Sequence, residues 1–232
     1  MIKLKVKDKS NLSEILMFKE IILKPWTILA GSNGVGKSSL TGQFYDYLTK
    51  GKCDLEIETD KPLNIFYYSN SYNNNRHTKA VNKAEIRMED RDIVNFWNCN
   101  HLSEGQSTVY SFLCYEDFLR YQAKKGFKNN TYYLFVMDEL DSGLAIDNAK
   151  YVIEELQKFK EKFKEKEILI MISANSFEFI YNAPEVLDMY TGKYRNDLKD
   201  YDSYKKFLCN NRKKLLKKRK NNMFKIYEVL PY

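Results

Sequence analysis

Eight consecutive residues, Gly31-Ser32-Asn33-Gly34-Val35-Gly36-Lys37-Ser38, carry the spacing G-x-x-x-x-G-K-S after an apolar run and ahead of a helical pattern. Residues of these types in this order make a phosphate loop. Gly31, Gly34 and Gly36 let the backbone turn its N–H groups inward around the β- and γ-phosphates of a nucleotide. Lys37 reaches the same oxygens, and the hydroxyl of Ser38 is placed on Mg²⁺ at a helix N-terminus. ATP and Mg²⁺ are therefore the expected cofactors.

Two further stretches hold chemistry of the same kind. Leu102-Ser103-Glu104-Gly105-Gln106 opens an apolar-periodic segment with Val109, Phe112, Leu113, Leu119 and Ala123. A serine N-cap with exposed N–H groups forms an anion site, although an ordinary helix cap reads the same way. Residues 132–137 are an apolar run of strand type ending in Asp138-Glu139. That arrangement puts one carboxylate on Mg²⁺ and a second beside a γ-phosphate, whereas a pair of strand-end carboxylates alone could merely cap the next helix.

Among the elements that must hold these residues, the uncharged segment Trp26–Ala30 predicts a strand buried on both faces of a mainly parallel sheet. The helix after Ser38 is predicted to bury Leu40, Phe44, Tyr47 and Leu48 and to stop before Gly51. Further strands are expected at 2–6, 15–18, 21–23, 55–59, 63–68 and 168–172, with a final pair around Gly192. A loop is expected from 69 to 76 and a helix from 83 to 97. An amphipathic helix is predicted from about 145 to 164, burying Ile146, Ala149, Val152, Ile153, Leu156, Phe159 and Phe163. A last helix over 200–220 would carry Tyr201, Tyr204, Phe207, Leu208, Leu215 and Leu216 on one side. Alternating strands and helices make an α/β fold with its site at the strand C-termini.

Composition narrows the class. A chain of 232 residues with 44% hydrophobic and 15% aromatic residues has material for one buried core and a small appendage. No window approaches the ~18 consecutive apolar residues of a membrane span, and the expected location is cytoplasmic, with no membrane partner. Cys53, Cys99, Cys114 and Cys209 form no C-x-x-C pair and read as ordinary reduced thiols. His77 and His101 read as surface residues. Lys and Arg exceed Asp and Glu by 38 to 31, and Arg212, Lys213, Lys214, Lys217, Lys218, Arg219 and Lys220 account for the whole excess. The basicity is thus a patch: either a solvated tail or a non-specific contact for DNA or RNA.

Taken together, the phosphate loop with Asn33 and Ser39, the L-S-E-G-Q stretch and the apolar run ending in D-E resemble the ABC-type ATPase superfamily, in the same order. The resemblance implies a P-loop ATPase domain over 1–200 with a mainly parallel central sheet and N-terminal antiparallel strands. A short helical insertion at about 69–125 would carry the signature, and a C-terminal helix and basic tail would fill 201–232. It further implies a head-to-tail homodimer in which Ser103, Gly105 and Gln106 of one subunit meet the nucleotide held by Gly31 to Ser39 of the other. By the same resemblance Glu139 is the base that polarises the attacking water, while Ser38 and Asp138 hold Mg²⁺. Three positions depart from the family. Ala145 replaces the aspartate that usually ends the loop after the D-E pair, and Asn175 stands at the switch histidine. No glutamine ends the 63–68 strand, where Asn70 or Asn73 would serve. With about 65 residues between Lys37 and Ser103, the chain has no room for the long coiled coil of SMC and recombination-repair ATPases. It is similar instead to the compact SMC-like ATPases of phages, mobile elements and defence operons.

Three functions follow as expectations. The first is an ATP-hydrolysing dimeric switch that acts on nucleic acid or on an effector protein. The second is an ATP sensor that dimerises without hydrolysis. The third is the ATPase subunit of a membrane transporter.

Overall fold

The computed structural model describes residues 1–69, 126–141 and 144–229, with five more at 112, 120, 121, 123 and 124. In the last helix it describes side chains as far as 216. Two sheets organise the chain. The smaller is antiparallel, order β2-β1-β4, from β1 (Ile2–Val6), β2 (Glu20–Leu23) and β4 (Leu55–Thr59). The larger has six strands, order β5-β6-β7-β3-β8-β9, from β3 (Trp26–Ala30), β5 (Leu63–Ser69), β6 (Tyr132–Asp138), β7 (Glu167–Ser173), β8 (Val186–Asp188) and β9 (Lys193–Arg195). All neighbours in it run parallel except β8 and β9. The expected α/β class, with antiparallel strands at the N-terminus and a mainly parallel central sheet, is the architecture found.

The parallel strands are the apolar runs of the sequence, as a sheet covered on both faces requires. β3 is buried at every position, and β6 and β7 at six of seven. The helix α2 (Lys37–Lys50) packs against β5, β6 and β7, burying Leu40 and Phe44. Its end at Gly51 follows the prediction, with left-handed φ of 68° and the Gly51 N–H donating to the Tyr47 carbonyl. A long helix, α3 (Ile146–Lys162), lays Ala149, Val152, Ile153, Leu156 and Phe159 into the core. Phe159 meets Phe135 of β6 edge to face at 5.7 Å, and Phe127 joins them from the preceding loop.

Several local expectations are corrected. Residues 15–18 are not a strand: Asn11–Ile15 forms a helix, α1, because Ser10 caps it by accepting from Ser13 N–H. Leu12 and Leu16, four apart, bury together in place of the alternation a strand would need. Ile146 is 71% exposed, since it begins α3 one turn before the core-facing stripe settles. Tyr47, Tyr201 and Leu216 also face solvent. Two more helices follow near the C-terminus. The short α4 (Phe177–Asn182) was not expected, and α5 (Tyr201–Val229) runs nine residues beyond the expected end. Ser69, expected to open a loop running to 76, instead ends β5 by pairing with Asp138; the rest of that loop, the helix at 83–97 and the signature segment lie outside the described residues.

Candidate functional site

The parallel strands deliver their C-terminal ends to one edge of the large sheet, and the strand order decides which loops meet there. β7 lies between β6 and β3, in register Met137 to Ile172 on one side and Leu29 to Ser173 on the other. The edge therefore brings together the loop after Ala30, the carboxylates after Met137 and the turn after Ser173. Beside them, Ala30 pairs with Asp188 of β8.

The loop itself is built by close approach. A Cβ on Gly31 would stand 2.7 Å from the Val35 side chain and 3.3 Å from Met189, so no larger residue fits the turn off β3. Gly34 and Gly36 take φ of 80° and 102°, the left-handed side that L side chains disfavour. Gly36 is the N-cap of α2 and has no capping side chain, leaving the first N–H groups of the helix for a ligand. Asn33, Gly34 and Ser38 are exposed and Ser39 is half-buried, whereas Lys37 is buried with only 6% exposure. Its ammonium donates to the Gly31 carbonyl at 2.7 Å, folding the side chain back across the loop.

Burial pulls the Lys37 amine down to about 8, and three carboxylates oppose that fall: Asp141, Asp138 and Glu139. Asp138 ends β6 almost fully buried, and its Oδ1 has no hydrogen-bond partner. Glu139 follows in the left-handed region at φ 53°, an uncommon conformation for a residue with a side chain, which turns the chain sharply off the strand. Its carboxyl is raised above the ordinary range, first by burial and then by Asp138 and Asp141, with Lys37 opposing.

Asp141 is the residue whose part the sequence did not reveal. One of its oxygens accepts from the backbone N–H of Asn175 at 2.5 Å and from that of Ser176, tying the loop after β6 to the turn after β7. The other oxygen is buried without a partner. Burial pushes this carboxyl up, and the two amide bonds pull the other way. A second unheralded residue is Tyr190, whose hydroxyl meets Ser32 in the phosphate loop. Contact across the fold identifies both, since Asp141 lies in the loop after the D-E pair with no role of its own in the sequence pattern and Tyr190 belongs to no local motif.

The structure thus gathers Gly31, Asn33, Gly34, Gly36, Lys37, Ser38, Ser39, Asp138, Glu139 and Asn175 at one sheet edge. Asn175 is exposed there. Ser103, Gly105 and Gln106, with Asn70 and Asn73, lie outside the described residues. Chemically, the arrangement joins the uncapped N-terminus of α2 and a buried cation to a carboxylate with one buried oxygen that has no hydrogen-bond partner. It is suited to a polyphosphate and a divalent cation together.

No protein-family model and no curated protein matches the chain. Solved structures do. The ATP-binding cassette MJ0796, in a dimeric post-hydrolysis state bound to ADP and Pi, is 13% identical over 87% of this chain and 100% of that one, with a TM-score of 0.51. MJ1267, an ATP-binding cassette of an ABC transporter, is 15% identical over 94% of this chain and 98% of that one, at 0.50. This chain has the ATP-binding cassette fold. In that cassette the phosphate loop and the Asp138-Glu139 pair occupy neighbouring loops at the C-terminal edge of the sheet, separated by β7. No helix among the described residues is long and apolar enough to cross a membrane.

Proposed function

We propose that this chain binds ATP with Mg²⁺, hydrolyses it, and uses the nucleotide to close a head-to-tail homodimer. The observation that carries the proposal is the placing of buried Lys37 and the glycine-lined loop opposite Asp138 and Glu139 at a single sheet edge. The residues fit a divalent cation, because Asp138 presents a buried oxygen that no protein donor satisfies. Ser38 and Asp138 would hold Mg²⁺, which when bound neutralises charge on the β- and γ-phosphates.

The protein's own groups do the rest. Loop N–H groups and the N-terminus of α2 bind the phosphates, and Lys37 turns from the Gly31 carbonyl to their oxygens. Glu139, whose raised carboxyl is a better proton acceptor than an ordinary glutamate once ionised, orients the attacking water and accepts its proton. Asn175 stands where the resemblance expects a histidine; it can hydrogen-bond the water but cannot carry a proton at neutral pH. Turnover should accordingly be slow. Ser103, Gly105 and Gln106 of the opposing subunit complete the site, and the 1–200 region acts as the ATPase domain.

Phosphate release by wild type compared with Glu139→Gln tests the enzyme reading. Activity in the wild type and none in the variant supports it; equal background rates in both leave an ATP sensor. The readout of the switch is a compact SMC-like one, with an effector protein or nucleic acid as its object. A transporter subunit is the second reading, supported by the likeness to MJ1267, an ATP-binding cassette of an ABC transporter. Recovery of the chain with a membrane-embedded partner would favour it.

A further inference from the structure

We infer that Tyr190 is a positioning residue for the nucleotide site, through which α5 holds the phosphate loop in its binding conformation. The inference rests on the nucleotide-binding reading above. Tyr190 is buried, and a buried tyrosine takes a partner for its hydroxyl. Here the partner is the loop. The Ser32 N–H donates to the Tyr190 oxygen at 3.1 Å, and the two hydroxyls are 2.6 Å apart. The N–H and the hydroxyl of Ser32 are thereby both engaged by one side chain, directly before the stretch that must wrap the phosphates.

Tyr190 is itself fixed from three directions. Met189 N–H donates to the Ala30 carbonyl at 2.9 Å, which carries the β3–β8 ladder one step past Asp188. Tyr190 N–H donates to Asp188 Oδ1 at 2.8 Å. The ring meets Phe207 of α5 edge to face, at 5.5 Å and 75°. Phe207 in turn stacks on Tyr204 at 6.2 Å and carries the Arg195 guanidinium 5.0 Å from its ring centre. Within α5, Phe207 lies five residues before Arg212, where the basic run begins. The docking face of α5 therefore reaches the phosphate loop through one side chain, and a loop held in place beforehand loses less freedom when nucleotide binds.

The test is a titration of the full chain with a fluorescent ATP analogue, beside thermal melting without nucleotide. Tyr190→Phe keeps the buried ring and removes only the hydroxyl. It should weaken nucleotide binding by roughly two- to tenfold, the range for one net hydrogen bond, with the melting temperature of the nucleotide-free protein nearly unchanged. Ser32→Ala should weaken binding in the wild type and add less in the Tyr190→Phe background. Phe207→Leu should likewise act only while Tyr190 is present. If Tyr190→Phe binds as the wild type does while Lys37→Ala loses binding, the inference is overturned and the nucleotide site stands. A loss that merely follows a lower melting temperature, or additive effects of Ser32→Ala, also overturns it. Absence of binding in the wild type overturns both readings.

Discussion

Two glycines in and just before the same helix should respond in opposite directions to the same substitution. Gly36 caps α2 at φ 102°, and a Cβ there would stand 2.8 Å from Ile15 Cγ2 and 2.8 Å from Leu16 Cδ2. Gly42 lies inside α2 with nothing within 4 Å of its added Cβ. For Gly36→Ala two terms add. Holding an L residue on the left-handed side costs about 1–2 kcal/mol, and pushing aside packed neighbours about 1–3 kcal/mol. Ile15 is 39% exposed and can swing outward, but Leu16 is buried and cannot, so a total of about 3 kcal/mol is expected. In a domain of this size each kcal/mol moves the melting temperature by about 2–4 °C, giving a fall of about 6–12 °C. Gly42→Ala removes the helix penalty of glycine, about 0.5–1 kcal/mol, and should raise the melting temperature by about 1–4 °C. Calorimetry of the nucleotide-free protein, with a urea titration beside it, reads both. Equal shifts, or a Gly36→Ala protein as stable as the wild type, would refute the geometry of the loop against α1. Nucleotide titration should then show Gly36→Ala weakened and Gly42→Ala unaffected.

Other consequences are as direct. Asp141→Ala leaves the Asn175 and Ser176 N–H groups without their acceptor. Because Asn175 faces solvent and water can replace the carboxylate, the loss should be about 1–2 kcal/mol, read as a lower urea midpoint with slower phosphate release. ATP and Mg²⁺ should convert monomer to dimer in light scattering, and Glu139→Gln should trap that dimer. Gly105→Asp should abolish dimerisation yet spare nucleotide binding, because a carboxylate there repels the γ-phosphate; a mass unchanged by ATP would count against assembly in trans. Replacing Lys213, Lys214, Lys217 and Lys218 with Gln should weaken any DNA or RNA binding and flatten its salt dependence by up to about 3–4 in the log–log slope, with ATP hydrolysis intact. Wild-type protein that binds neither duplex nor single strand at low salt would remove nucleic acid as a partner.

By itself the sequence determined what is local in the chain. Gly31, Gly34 and Gly36 specify the loop because their backbone angles and close contacts exclude other residues. The runs Trp26–Ala30, Tyr132–Asp138 and Glu167–Ser173 specify buried strands because no charge interrupts them between their ends. The stripe from Ala149 to Phe159 specifies α3 because it repeats at helical spacing. Periodicity says which residues share a face, and it says nothing about what lies opposite. The tertiary structure alone decided that β7 stands between β3 and β6, setting Asn175 between the phosphate loop and the carboxylates. It decided also that Asp141 holds the turn after β7, and that Tyr190 reaches Ser32 from 158 positions away. The N-terminal helix escaped the pattern for the same reason. Leu12 and Leu16 become a helical pair only when Ser10 caps the turn and Gly36 presents its bare Cα to Leu16. Strand order and side-chain contact depend on which distant surfaces bury each other, a choice made by the whole core and not by neighbours in the chain.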